Sequence, residues 1–133
     1  MTLHIMNWLD QSIEDYKVQL QDTTVDFFHA ENRLNKHGTG VETLMDYFET
    51  CMRLADLCKN NGDDTRYLEG LRKVYCRMMS ELNNKQNPLS CRILSRKFAK
   101  ETLNRTCDLY ELYGIKERTK ILCTDFAQRS SLY

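Results

Sequence analysis

Proline occurs once and glycine five times in 133 residues. That scarcity excludes collagen-like and turn-rich β architectures and leaves few points at which a helix must stop. No apolar run approaches the roughly 20 residues of a membrane-spanning helix. Residues 1–20 carry Asp10, Glu14, Asp15 and Lys17, charges that the apolar core of a secretory signal does not tolerate. Net charge is absent as well, because 19 Lys+Arg balance 19 Asp+Glu. With 41% hydrophobic residues, a chain of this length can build a core without metal or disulfide staples. These features predict one intracellular helical domain over residues 1–133, cytoplasmic or nuclear, with no membrane partner.

The usual carriers of chemistry are also missing. Cys51, Cys58, Cys76, Cys91, Cys107 and Cys123 include no C-x-x-C pair, so zinc-knuckle and thioredoxin-like readings fail. Most of the six fall on apolar helical stripes, where free cysteine acts as a small hydrophobe. Histidine is limited to His4, His29 and His37. A ferritin-like bundle needs Glu-x-x-His on two helices, and Asp26-Phe27-Phe28-His29 has no counterpart. Gly38-Thr39-Gly40 lacks the strand before and the lysine after that a phosphate loop requires. No Gly-x-Ser-x-Gly elbow occurs. Asp46-x-x-Glu49 is a single acid pair on one helix and reads as an exposed acidic face. The sequence therefore predicts no enzyme, no catalytic residues, no cofactor, no metal and no small-molecule substrate.

What is present is helical periodicity. Gly, Pro, Asn and Asp cluster at 37–40, 60–64 and 83–88, and Gly114 stands alone. Such residues supply positive φ or block helix continuation. Between them the spacing predicts helices over about 5–36, 41–59, 65–83, 90–113 and 116–129. Loops this short place consecutive helices side by side and antiparallel. The fold class is all-α, an up-down antiparallel bundle of four to five helices with a long N-terminal helix. A similar Ala/Cys-Asp-Leu pattern precedes Gly62 and Gly114, but its 52-residue offset does not fit a helical-hairpin repeat of roughly 34 residues. Thr39 and Glu42 are spaced as a capping box for the second helix. Asp63-Asp64 suits the start of the third and Ser90 that of the fourth.

The first helix carries the most regular seam. Met6, Leu9, Ile13, Tyr16, Leu20, Thr23, Phe27, Ala30 and Leu34 alternate in steps of three and four, which keeps one side apolar over about four heptads. Such a seam either packs inside the bundle or pairs with another chain. Met6, Leu9, Ile13, Tyr16, Leu20, Phe27 and Leu34 are the predicted protein-interaction residues.

Charge is unevenly spread. Residues 1–56 hold 10 acids and 4 bases, and residues 57–133 hold 9 acids and 15 bases. Arg92, Arg96 and Lys100 fall four apart on one helix, and Arg66, Lys73 and Arg77 form a stripe on the preceding one. Joined, and with Lys97, they would make a positive surface attractive to phosphate backbones. Tyr67 or Tyr75 is then a candidate for stacking on unpaired bases. The alternative is that the basic half complements the acidic half within the bundle. The function predicted is a helical adaptor or regulatory protein binding another protein or itself. Nucleic-acid binding, RNA or DNA, through Arg66, Lys73, Arg77, Arg92, Arg96, Lys97 and Lys100 is the alternative.

Overall fold

The computed structural model describes residues 2–133, with side chains from Ile5 onward. Five helices follow one another: α1 Thr2–His37, α2 Val41–Asn60, α3 Asp64–Asn83, α4 Leu89–Leu112 and α5 Lys116–Arg129. No strand occurs among the described residues. Each helix packs antiparallel on the next, and α2 also meets α4. The stacked rings of Phe48 and Phe98, 4.0 Å between centroids, join α2 to α4. Side chains carry α1 across to α3. Tyr16 donates to Asp63 at 2.7 Å, and Lys73 pairs with Glu31 at 3.1 Å. Residue numbers rise together in these contacts, so α1 and α3 run parallel.

The turns follow from local chemistry. Gly38, Gly62 and Gly114 take φ of 81°, 71° and 71°, the left-handed region that glycine occupies without a Cβ clash. Gly62 and Gly114 each stand just past the C-cap residue of a helix, Asn61 and Tyr113, and end it. Asp63 caps α3 by accepting from the Arg66 amide. Two expected caps differ. Thr39 does not cap α2; Gly40 stands at the cap, and the Thr43 hydroxyl accepts its N–H at 2.9 Å. The turn at Gly38 instead carries Thr39 over the C-terminal end of α3, where its hydroxyl donates to Glu81 at 2.6 Å. Helix α4 starts at Leu89, with Pro88 rather than Ser90 before its first turn. Proline has fixed φ and no N–H, so it suits a helix start.

Glu81 gathers that end of the bundle. Its carboxylate accepts from Thr39, from Asn87 at 2.8 Å and from Arg77 at 3.0 Å. It therefore ties the α1–α2 linker and the α3–α4 linker to α3. Burial alone raises the carboxyl pKa, but the bonds from Thr39, Asn87 and Arg77 outweigh it and hold the group below its ordinary value.

The core is built mainly from α2, α3 and α4: Leu44, Tyr47, Leu71, Val74, Met78, Leu82 and Ala99 are 0–1% exposed. From α1, Phe27, Ala30 and Leu34 join it, at 4%, 0% and 1%. Helix length explains why only that half does. Helix α1 has 36 residues and α2 has 20. Pairing backward from their shared turn, α2 ends opposite about Val18. The preceding residues of α1 overhang by about 24 Å at 1.5 Å per residue.

Two outcomes are expected. Leu34→Ala lowers unfolding free energy by about 2–5 kcal/mol, while Leu9→Ala on the overhang stays within about 0.5 kcal/mol; equal losses in urea titrations would place the overhang in the core. For Glu81, a lowered pKa stabilises the fold fully above the ordinary glutamate value of 4.5 and less as pH falls through the folded-state value. The urea midpoint of wild type should therefore fall more steeply between about pH 5 and pH 3 than that of Glu81→Gln.

Candidate interaction surfaces

The predicted seam of α1 divides at Tyr16. Phe27 and Leu34 lie in the core, and Leu20 packs on its edge. Tyr16 is half-buried, held by Asp63. That bond and burial act together: burial, then Asp63, pushes the Tyr16 hydroxyl pKa well up, while Arg66 and then Tyr16 hold the Asp63 carboxyl low. Tyr16 is thus the last side chain of the seam anchored to the bundle. Met6, Leu9 and Ile13 are 56%, 46% and 52% exposed. At 100° per residue they lie on the same side of α1 as Phe27 and Leu34, so the core stripe continues where no neighbour remains. Ile5 and Trp8 widen it, at 60% and 67% exposure.

A groove of about 510 Å³ opens where this stripe meets the bundle, lined by Leu20, Val25, Phe28, Leu54, Cys58 and Gly70. Lys73 crosses its edge, 4.9 Å from the Phe27 ring centroid and ion-paired to Glu31. A second groove of about 570 Å³ lies among α3, α4 and α5, with Leu68, Leu103, Tyr110 and Leu122 in its walls. There Tyr75 donates to Asp125 at 2.9 Å, and Arg129 holds the same carboxylate.

The seven predicted nucleic-acid residues do not share one surface. On α3, Arg66 pairs with Asp63 at 2.8 Å, Lys73 with Glu31, and Arg77 with Glu81 and with Asn35. Helix α4 meets α3 at Asp64, through Tyr113, and at Leu82, whose carbonyl accepts from Arg92 at 2.7 Å. Both positions lie nine residues from Lys73, half a turn around the helix. The α3 stripe therefore faces α1, on the side of α3 away from α4. Arg96, Lys97 and Lys100 stand on the outer face of α4, exposed, with no ion pair among the described residues. Tyr67 and Tyr75 are buried, at 2% and 9% exposure, so neither ring offers a face for stacking.

The outer face of α4 also holds two apolar residues that lie off its core-facing stripe. Leu89 and Ile93, 57% and 49% exposed, fall four apart in line with Lys100, between Arg96 and Lys97. Their i, i+4 spacing was the available signal.

Among the described residues, no group of three or more His, Cys, Asp or Glu side chains is placed to hold a metal. His29 and His37 are exposed; His4 lies outside the residues whose side chains are described. Two of the four acids of α2 are engaged structurally, and Glu42 and Glu49 are exposed. Asp46 accepts from Arg33 at 2.6 Å, and Asp56 from Arg105 at 2.8 Å. Cys51, Cys58 and Cys91 are buried, Cys107 is partly so, and Cys76 and Cys123 are exposed. Burial pushes the Cys51 thiol up to about 12; burial and then the neighbouring Cys123 push Cys107 up to about 11.

No protein-family model matches the chain, and no curated protein or solved structure is significantly similar to it.

Thiol exposure gives a direct check on this geometry. A disulfide reagent at about pH 8 should react fast with two thiols in the native protein and with all six after unfolding. Cys76→Ser with Cys123→Ser should remove the fast phase; a fast phase that persists would mean that Cys107 or one of the buried Cys51, Cys58 and Cys91 is accessible.

Proposed function

We propose that the chain is a non-enzymatic helical interaction module, an adaptor or regulator that acts by binding a protein, another chain or its own copy. The contact surface is the overhanging part of α1. The observation that supports this most is the continuation of the core stripe through Met6, Leu9 and Ile13 beyond the end of α2. Covering a side chain of that size removes apolar area from water, worth about 1.5–3 kcal/mol when complete. A contiguous apolar patch rimmed by polar residues is the usual form of a protein contact. Asp10 and Lys17 stand beside the row, and Glu14 and Asp15 stand further round the helix.

Nucleic-acid binding is the second reading. Of its residues, Arg96, Lys97 and Lys100 support it, because they are exposed and free of carboxylate partners among the described residues. The ion pairs on α3 favour the alternative in which the two halves complement each other. Three phosphate contacts would give only a shallow dependence on salt.

The test compares wild type with Leu9→Asp/Ile13→Asp. Both sites are exposed, so helicity and melting temperature should stay unchanged. Sedimentation velocity reads self-association. Recovery from the source cell's extract after nuclease treatment, followed by reconstitution with the purified partner, reads binding to other proteins. Association that is present in wild type and lost in the variant is expected. A wild type that binds neither itself nor any reconstituted partner overturns the reading, as does a variant that binds equally well.

A further inference from the structure

We propose that the partner is a second copy of this chain, and that the overhanging arm of one copy docks on the outer face of α4 of the next. The inference rests on the arm being the contact surface and adds both the partner and the receiving site.

The two surfaces match in length, pattern and charge. The arm, Ile5–Lys17, is a helix face with Ile5, Met6, Leu9 and Ile13 exposed along it. Asp10 flanks that row on one side, with Lys17 beside it, and Glu14 and Asp15 lie on the far face of the helix. Lys17, the one base of the arm, already pairs with Glu14 at 3.5 Å. The receiving face, Leu89–Lys100, carries Leu89 and Ile93 exposed in a row, flanked by Arg96 and Lys97 and continued by Lys100. No acid occurs between residues 89 and 100. At 1.5 Å per residue the two faces are roughly 18 and 17 Å long. An apolar row on an arm with three acids and one base therefore meets an apolar row on a segment with four bases and no acid. Helix-against-helix packing covers the rows, and the opposite charges of the two segments select the partner.

Pairing of two arms is less favourable. It brings together two arms that each hold three acids and one base. Docking within one chain is excluded by geometry. The N-terminal end of α4 sits by the α1–α2 linker, where the Cys91 thiol lies 3.9 Å from the Thr39 carbonyl oxygen. The arm lies at the other end, with Ile13 roughly 36 Å back along an unbroken helix. The contact is consequently intermolecular and heterologous. Head-to-tail contacts of this kind extend into chains unless the rotation between copies closes a ring.

Charge exchange tests the pairing. Wild-type mass in multi-angle light scattering should rise with concentration and fall between about 50 and 500 mM NaCl, since exposed charge pairs are screened. Asp10→Lys/Glu14→Lys/Asp15→Lys and Arg96→Glu/Lys97→Glu/Lys100→Glu should each weaken self-association at least tenfold. Mixed in equal amounts, the two variants should associate again, because each then offers the charge that the other lacks. Circular dichroism identifies a variant that has unfolded, and Arg96→Glu/Lys100→Glu, with two exposed changes, then takes its place. Three results overturn the proposal: a monomeric wild type at every concentration, α4 variants that associate like wild type, or a mixture that stays apart. If association needs Leu9 and Ile13 but not Arg96, Lys97 and Lys100, the arm remains the contact surface and the α4 site fails. If the wild type is monomeric yet binds a different reconstituted protein through the arm, the second copy is the wrong partner and the interaction module stands.

Discussion

Helix α1 is longer than anything the rest of the chain offers it, and the organisation of the molecule turns on that mismatch. A helix buries an apolar stripe only where a neighbour runs beside it. Helix α2 ends after 20 residues because Asn60–Asp63 forces a turn at Gly62. The remainder of α1 keeps the stripe and loses the neighbour. Tyr16, bonded to the Asp63 that caps α3, marks the boundary. The same few residues therefore end α2, start α3 and fix where α1 leaves the bundle.

Charge has a comparable division of labour. The acidic and basic halves meet inside the fold: Glu31 with Lys73, Asp56 with Arg105. Exposed pairs of this kind contribute little stability, about 0–1 kcal/mol. Their effect lies in register, since each joins residues about 40 to 50 apart in sequence and disfavours sliding of one helix along the next. Glu81 does the same from a more buried position by holding two linkers at once. Once these pairs are counted, Arg96, Lys97 and Lys100 remain unpaired among the described residues, within one acid-free stretch of α4, residues 89–100. A net charge of zero thus conceals one acidic arm and one basic face at opposite ends of the bundle.

The helices were legible in the sequence because periodicity and turn residues are local properties. The fate of the heptad seam was not. Its spacing is the same from Met6 to Leu34, and spacing says nothing about how far a neighbour extends. The information was present at one remove, in the distance from Gly40 to Gly62 compared with the length of the seam. The basic stripes failed to merge for a similar reason. That α3 and α4 are adjacent and antiparallel could be read from loop length. Which side of α3 receives α4 depends on Leu71, Met78 and Leu82 being core, half a turn from Lys73 or nearly so. Thr39 fitted a capping pattern, yet the position of Gly38 sent its hydroxyl to Glu81 instead. Leu89 and Ile93 were overlooked because two apolar residues do not make a stripe until the bases beside them are seen to share their face.

An overhanging helix is also subject to helix–coil energetics. Isolated helices shorter than about 12–15 residues are marginal in water, because nucleation is costly and tertiary packing is missing. The arm escapes the nucleation cost by continuing from a packed helix, but each turn beyond Tyr16 is held by local hydrogen bonds alone. A partner that covers Met6, Leu9 and Ile13 therefore gains less than the buried area suggests, since part of that gain goes into ordering the arm. The same coupling makes the proposed contact sensitive to conditions. Salt weakens its charge pairing, and any change that frays the arm withdraws the apolar row with it. A surface that helps hold its own helix in shape by being bound suits a regulated contact better than a permanent one.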